Sequence, residues 1–308
     1  MLLRKRQLLA KIEAVEGTTE TLTLTEGGVL IYNPKIAFEM KTFERNPARS
    51  SLSALKPIPG QTKCTFTFQT ELKGSGTAGT APKYGPLLKS CGMAEAIVAA
   101  TSVTYTPASA SVPSLTMAIV SDGLKTTISG ARGTVKGIGK IGEPYMLEFS
   151  FQGVFQGTVD QTSIAGITYD TPDPISFMGA NILTLGAINP TFNSFNFDIG
   201  NTIAMRDNAN SAKGYLSALI TGRKGTFHID PEAVAIATYD YFGNATAGTS
   251  QQISFALTGT AGNIATVTIP KAYITAISDD DRNGLYCVGV DGVMAQNSGD
   301  DEISIALT

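Results

Sequence analysis

The sequence predicts a mainly β protein: two tandem sandwich or barrel-like domains, each with one short flanking helix, behind an N-terminal helix or arm. Three observations predict it. Alternating apolar and polar stretches recur along the 308 residues with turn residues between them, the pattern of half-buried strands. Charged residues make up only 16% of a chain that holds 32 glycines and 14 prolines, which favours many turns over long solvated helices. One phrase is also written twice. Leu52-Ser53-Ala54-Leu55 and Leu216-Ser217-Ala218-Leu219 stand 164 residues apart, each followed by a turn with Gly and a cation, then by alternating Thr and apolar residues.

At the N-terminus, Leu8, Leu9 and Ile12 lie at helical spacing and Gly17 follows, so residues 2–15 are expected to form a short amphipathic helix or ordered arm within a segment 1–27. After it the period changes to two. Cys64 to Phe68, Leu115 to Ile119, Thr127 to Ser129 and Tyr145 to Phe151 read as strands, with Asp122-Gly123 as a hairpin turn between two of them. Pro86 near the start and Gly92 past the end bracket a short helix over 84–92. The small, flexible run before it is expected to be a long mobile loop over 72–85.

Pro172 and Pro174 interrupt regular structure twice in three residues, which places a boundary there and gives domains 28–172 and 173–308. Strands follow at Phe195 to Ile199, Gly225 to Ile229, Ile253 to Leu257, Ala265 to Ile269 and Leu285 to Val290. Asp230-Pro231 predicts a helix over the residues up to Ile236. Near the end of each half, Gln152-Gly153-Val154 lines up with Asp291-Gly292-Val293, 139 residues on, so the order strand, helix, hairpin, hairpin, final strand is kept twice.

The chemistry-bearing residues are sparse. A net charge of −3 points away from a chain built to hold nucleic acid by neutralising phosphates, which takes clustered Lys and Arg. Cys64, Cys91 and Cys287 are odd in number and far apart, which reads as buried thiols in a reducing compartment. Gly74-x-Gly76-x-x-Gly79 matches a dinucleotide fingerprint in letters, but the chain continues into Thr80-Ala81-Pro82 where that motif needs a helix. His228, the single histidine, lies mid-strand with no nucleophile signature beside it. Asp279-Asp280-Asp281 lacks the alternate spacing and distal Glu of a calcium loop, and Asn283-Gly284 is a hairpin turn by itself. No catalytic residue, cofactor or metal site is expected. After Arg4-Lys5-Arg6 no long apolar run follows, so neither an export signal nor a transmembrane span is expected.

Pro86 to Met93, Ser102 to Ser109 and Ser114 to Phe155 resemble the tube domain of the major tail tube proteins of long, non-contractile-tailed bacteriophages, the siphophages. Phe192 to Asn201 and Gly214 to Ala233 resemble the same kind of protein, so the likeness covers most of residues 28–308. The resemblance implies a structural virion protein that self-assembles, edge to edge, into rings stacked as a tail tube. The resemblance further implies that DNA is ejected through the lumen without specific binding. The chain would be assembled in the host cytoplasm, with tape-measure, terminator and distal tail proteins as further partners and no membrane. Most proteins that it resembles carry one tube domain per chain and build six-membered rings. Two domains here imply a homotrimer ring with pseudo-sixfold symmetry. A long loop from each domain would reach the next ring, and its candidate residues are Leu72, Lys73, Gly74, Gly76, Gly79, Pro82, Lys83 and Tyr84. The competing class is a carbohydrate-binding or adhesive β-sandwich of a virion or cell surface. Such a module often displays Trp as a sugar platform, and this chain has none.

Overall fold

The computed structural model describes residues 2, 4–179 and 182–308. Met1 and Leu3 of the expected N-terminal arm and Ala180 and Asn181 of the second expected domain lie outside the described residues. The first half holds β1 (Arg6–Ile12), β2 (Tyr32–Phe43), β3 (Ile58–Glu71), α1 (Gly85–Ser90), β4 (Met93–Val98), β5 (Ser102–Pro107), β6 (Leu115–Ser121), β7 (Gly123–Lys140) and β8 (Met146–Gln161). The second holds β9 (Leu183–Leu185), β10 (Phe192–Asp198), β11 (Asn201–Asp207), β12 (Tyr215–Arg223), β13 (Thr226–Pro231), α2 (Tyr241–Ala247), β14 (Gln251–Leu257), β15 (Ala265–Arg282), β16 (Leu285–Met294) and β17 (Ser304–Leu307). The protein is mainly β, as expected.

Side-chain alternation drives the layering. Along β8, Leu147, Phe149, Phe151 and Gly153 are buried while Glu148, Ser150 and Gln152 are partly exposed. Phe68 stacks with Phe149 and Phe151 at centroid distances of 5.7 and 6.2 Å. Farther along, the Tyr145 ring lies 5.2 Å from Phe177, 6.3 Å from Phe197 and 4.8 Å from Phe255. One apolar core therefore contains residues from both halves. Each fully buried Phe contributes roughly 1.5 to 3 kcal/mol of transfer free energy.

Hydrogen bonding orders the first half as β1, β6, β7, β8, β3, β2. It orders the second as β9, β14, β15, β16, β13, β10. These are the same six positions in the same sequence of neighbours. β10 then pairs with the far end of β7, which carries the ladder from one half into the other. β17 pairs with β15 and β5, and β5 with β4, which makes a second link between the halves. β11 and β12 form a separate two-stranded hairpin.

Two elements sharpen the expectation. Of the helix or ordered arm expected over 2–15, residues 6–12 are an arm ordered as a strand. Seven consecutive residues from Arg6 opposite Ser121 to Ile12 opposite Leu115 pair with β6, and Leu8 and Leu9 are both buried. An isolated helix of this length is marginal, so an available strand edge decides the outcome. The helix of the second half also lies later than expected. Asp230 accepts from the backbone N–H groups of Asn193 and Ser194 at 2.9 and 2.6 Å, so its carboxylate fastens β13 to β10 and caps no helix. Ala233 then donates to the Tyr286 carbonyl. The helix starts at Tyr241, with Asp240 accepting from Gly243 N, and stops at Gly248 in the left-handed conformation (φ 61°).

Candidate assembly surfaces

The clearest unsatisfied feature is backbone. β7 carries β6 on one side as far as Ala131, and β10 continues that side from Lys136 to Lys140 while β8 covers the other. β15 carries β14 on the corresponding side as far as Ala272, with β16 on the other. Beyond Ala272 nothing among the described residues continues the β14 side. At the other end of the order, β2 pairs with β3 alone. β2 and the outer part of β15 are thus two unlike open edges, beside that of β4, which pairs with β5 alone. Open edges are templates for pairing with another chain.

A second feature is an exposed arm. The outer parts of β2 and β3 and the segment between them, residues 37–60, are exposed throughout except for partly buried Leu55. Phe43 is 67% exposed and Leu52 fully so, and Phe38, Met40 and Ile58 add further apolar surface. Exposed apolar surface of this kind is a candidate for contact with another protein. The arm is also basic: from Glu39 to Lys63 it has five cations and two carboxylates. Its signal was present in the sequence as apolar residues interleaved with Lys41, Arg45, Arg49 and Lys56, a pattern that neither strand alternation nor turn chemistry explains.

The hairpin that occupies the matching place in the second half is packed down. β12 lies on β7, where Arg132 donates to the Ala218 carbonyl at 2.6 Å and a side chain at Gly130 would collide with Ser217. The N-terminal segment fastens this contact. Glu16 pairs with Arg132 at 3.0 Å and accepts a short hydrogen bond from Ser217. Next to it, buried Glu13 accepts from Ser114, Thr116, Gly130 N and Gly17 N at 2.6 to 2.9 Å.

The candidate loop over 72–85 is anchored within the chain at both ends. Leu72, Lys73, Gly74, Pro82 and Tyr84 are buried, Gly79 is half-buried, and Gly76 and Lys83 are exposed. Gly74 N donates to Asn263 Oδ1 at 2.9 Å, Gly76 N to the Gly262 carbonyl at 3.0 Å, and Tyr84 Oη to the Lys73 carbonyl at 2.8 Å. Lys73 sits 3.1 Å from Glu71, which accepts from Tyr32 Oη at 2.6 Å and pushes that phenol up to about 12.

The remaining chemistry-bearing residues do not converge. His228 Nδ1 lies 2.8 Å from Asp291 on an open strand surface. Asp281 accepts from Gly284 N and Asp279 from Tyr286 Oη, which are turn and strand contacts. No group of three or more His, Cys, Asp or Glu able to hold a metal is found among the described residues. The three cysteines are buried and free, with burial pushing the Cys64 thiol up to about 11. Among the described residues no helix is long and apolar enough to cross a membrane.

The chain is mainly β, with open edges and an exposed arm, and its chemistry-bearing residues do not converge among the described residues. The family model described as phage tail tube protein matches residues 4–308. The chain belongs to the phage tail tube protein family. No curated protein matches it. A tail tube protein is a structural component of the virion tail.

Proposed function

We propose that this tail tube protein builds the tube of a siphophage from rings of three chains. Each chain supplies two tube domains, 28–172 and 173–308, to a pseudo-sixfold ring, and stacked rings form the conduit for DNA ejection. The observation that carries this reading is the repeated six-strand order, with one half joined to the next through β7 and β10. A chain that already contains one junction between two like units, and has an open edge at each end, supports heterologous closure after a few copies. The exposed arm over 37–60 supports a reach beyond the ring to the neighbouring one. The exposed part of the 72–85 loop, around Gly76, Thr77 and Lys83, is a shorter second contact.

In this role the chain assembles in the host cytoplasm, has no catalytic function, meets tape-measure, terminator and distal tail proteins at the tube ends, and lets DNA pass unbound. Electron microscopy of tubes formed by the purified chain tests the reading. Threefold rings with six similar lobes are expected; six whole chains per ring would overturn it.

A further inference from the structure

The two halves allow one missing contact to be built from another that is present. In the first half Gly153 faces Cys64, and in the second Gly292 faces Phe227, so these four residues fix the correspondence of the sheets. Five residues before each glycine lie Glu148, opposite Lys136, and Cys287, opposite Asp280. Lys136 and Asp280 are therefore equivalent on β7 and β15. Likewise Cys64 pairs with Phe38 and Phe227 with Phe197, so Phe38 and Glu39 on β2 correspond to Phe197 and Asp198 on β10. Within the chain Lys136 pairs with Asp198 and Gly137 with Phe197.

We propose that the open side of β15 in one copy pairs antiparallel with β2 of a second copy, with Asp280 opposite Glu39, Asp281 opposite Phe38 and Arg282 opposite Ala37. This rests on the tail-tube reading above and adds the strands and register that would close the ring. Five of the six residues it uses are exposed and Arg282 is half-buried, and none has a partner strand on that side among the described residues. A second, independent feature agrees. The turn after β7 seats beside the start of β10, where Ile141 N donates to the Asn193 carbonyl at 2.9 Å and Ile141 lines a groove with Phe177 and Phe192. The matching place beside β2 is a groove lined by Arg4, Arg6, Leu30, Tyr32 and Lys35, with nothing in it from the second half. Its cations suit the occupant: the hairpin that leads into the Asn283-Gly284 turn carries Asp279, Asp280 and Asp281 and ends in exposed Leu285 and Tyr286.

One position departs from the internal template. Lys136 and Asp198 form an ion pair at 3.0 Å, whereas the proposed register sets Asp280 against Glu39, whose carboxylate is neutralised by Lys63 at 3.1 Å. Asp280→Lys would restore the template pair between copies. It should lower the concentration at which assembly begins by roughly two- to fivefold.

The decisive experiment is disulfide trapping in the full chain. Glu39→Cys with Asp280→Cys replaces two exposed residues, and directly opposed positions on an antiparallel pair have a separation a disulfide can span. Phe38→Cys with Asp281→Cys reads the same register one residue on. Covalent links between chains are expected in the assembled material of both double variants and in neither single variant. If the wild type and the variants form tubes but neither pair cross-links, and Asp280→Lys leaves the assembly concentration unchanged, the proposed edge is wrong while the tail-tube reading stands. If the wild type remains monomeric at every concentration and salt condition, both fall.

Discussion

The Phe197 ring lies across the Cα of Gly137, in the space a side chain would need at the junction between the two halves. Gly137 is therefore required by close approach and not by an unusual backbone angle. Gly137→Ala should destabilise the chain by roughly 1 to 3 kcal/mol as overpacking. Gly222→Ala, whose Cβ would meet only Thr202 at an ordinary 3.7 Å, should be neutral or slightly stabilising. Urea midpoints of the two variants against the wild type check this; equal shifts would refute the close-approach account.

Buried Glu13 predicts a larger loss. Its carboxylate accepts from two hydroxyls and two backbone N–H groups. Glu13→Ala would orphan several donors in a buried site, at roughly 1 to 3 kcal/mol for each left unsatisfied. Ser114→Ala, which removes one donor and its own need for a partner, should cost far less. Thermal unfolding of both variants separates the two cases.

These examples show which parts of the fold were legible in the sequence. Period-two strands such as Leu147 to Phe151, and the turns Asp122-Gly123 and Asn283-Gly284, were readable because their signals are local; all four turn residues have positive φ. The strand over 6–12 was not, because Leu8, Leu9 and Ile12 suit a helix face as well as a strand buried on both sides, and only β6 decides between them. Asp230-Pro231 misled for a related reason: the carboxylate that could cap a helix found two N–H groups on β10 first. The open edges of β2 and β15 leave no trace in composition, since an edge is defined by which strand fails to arrive. Gly137 gives no more warning, as the ring that requires it lies 60 residues away in sequence.

Glu16 predicts an acid-sensitive clamp. The hydrogen bond from Arg132 holds its carboxyl below the usual 4.5, against the opposing effect of burial and with help from Ser217. A carboxyl lowered on folding contributes stability that is fully present above its unfolded value and is lost as pH falls through its folded one. The wild type should therefore lose stability below about pH 4.5 more steeply than Glu16→Gln. The variant should be the weaker at neutral pH, with the two curves converging in acid. Urea midpoints measured across that range test the sign; a constant gap down to pH 3 would mean that Glu16 acts through packing alone.

The exposed arm gives the last prediction. Residues 44–57 lie between the paired parts of β2 and β3, and all are exposed apart from Leu55. Replacing them with a short Gly-Ser turn removes no core residue and spares the register from Ile36 opposite Phe66 to Glu39 opposite Lys63, so the chain should keep its wild-type Tm within a few degrees. What it should lose is exposed Leu52 and the cations Arg45, Arg49 and Lys56. If the arm bridges rings while the β2 and β15 edges close them, the shortened chain should form single rings that do not stack. Negative-stain images and sedimentation would then show discs in place of tubes. Tubes of normal length would exclude the arm from stacking, and loss of rings as well as tubes would place it in ring closure instead.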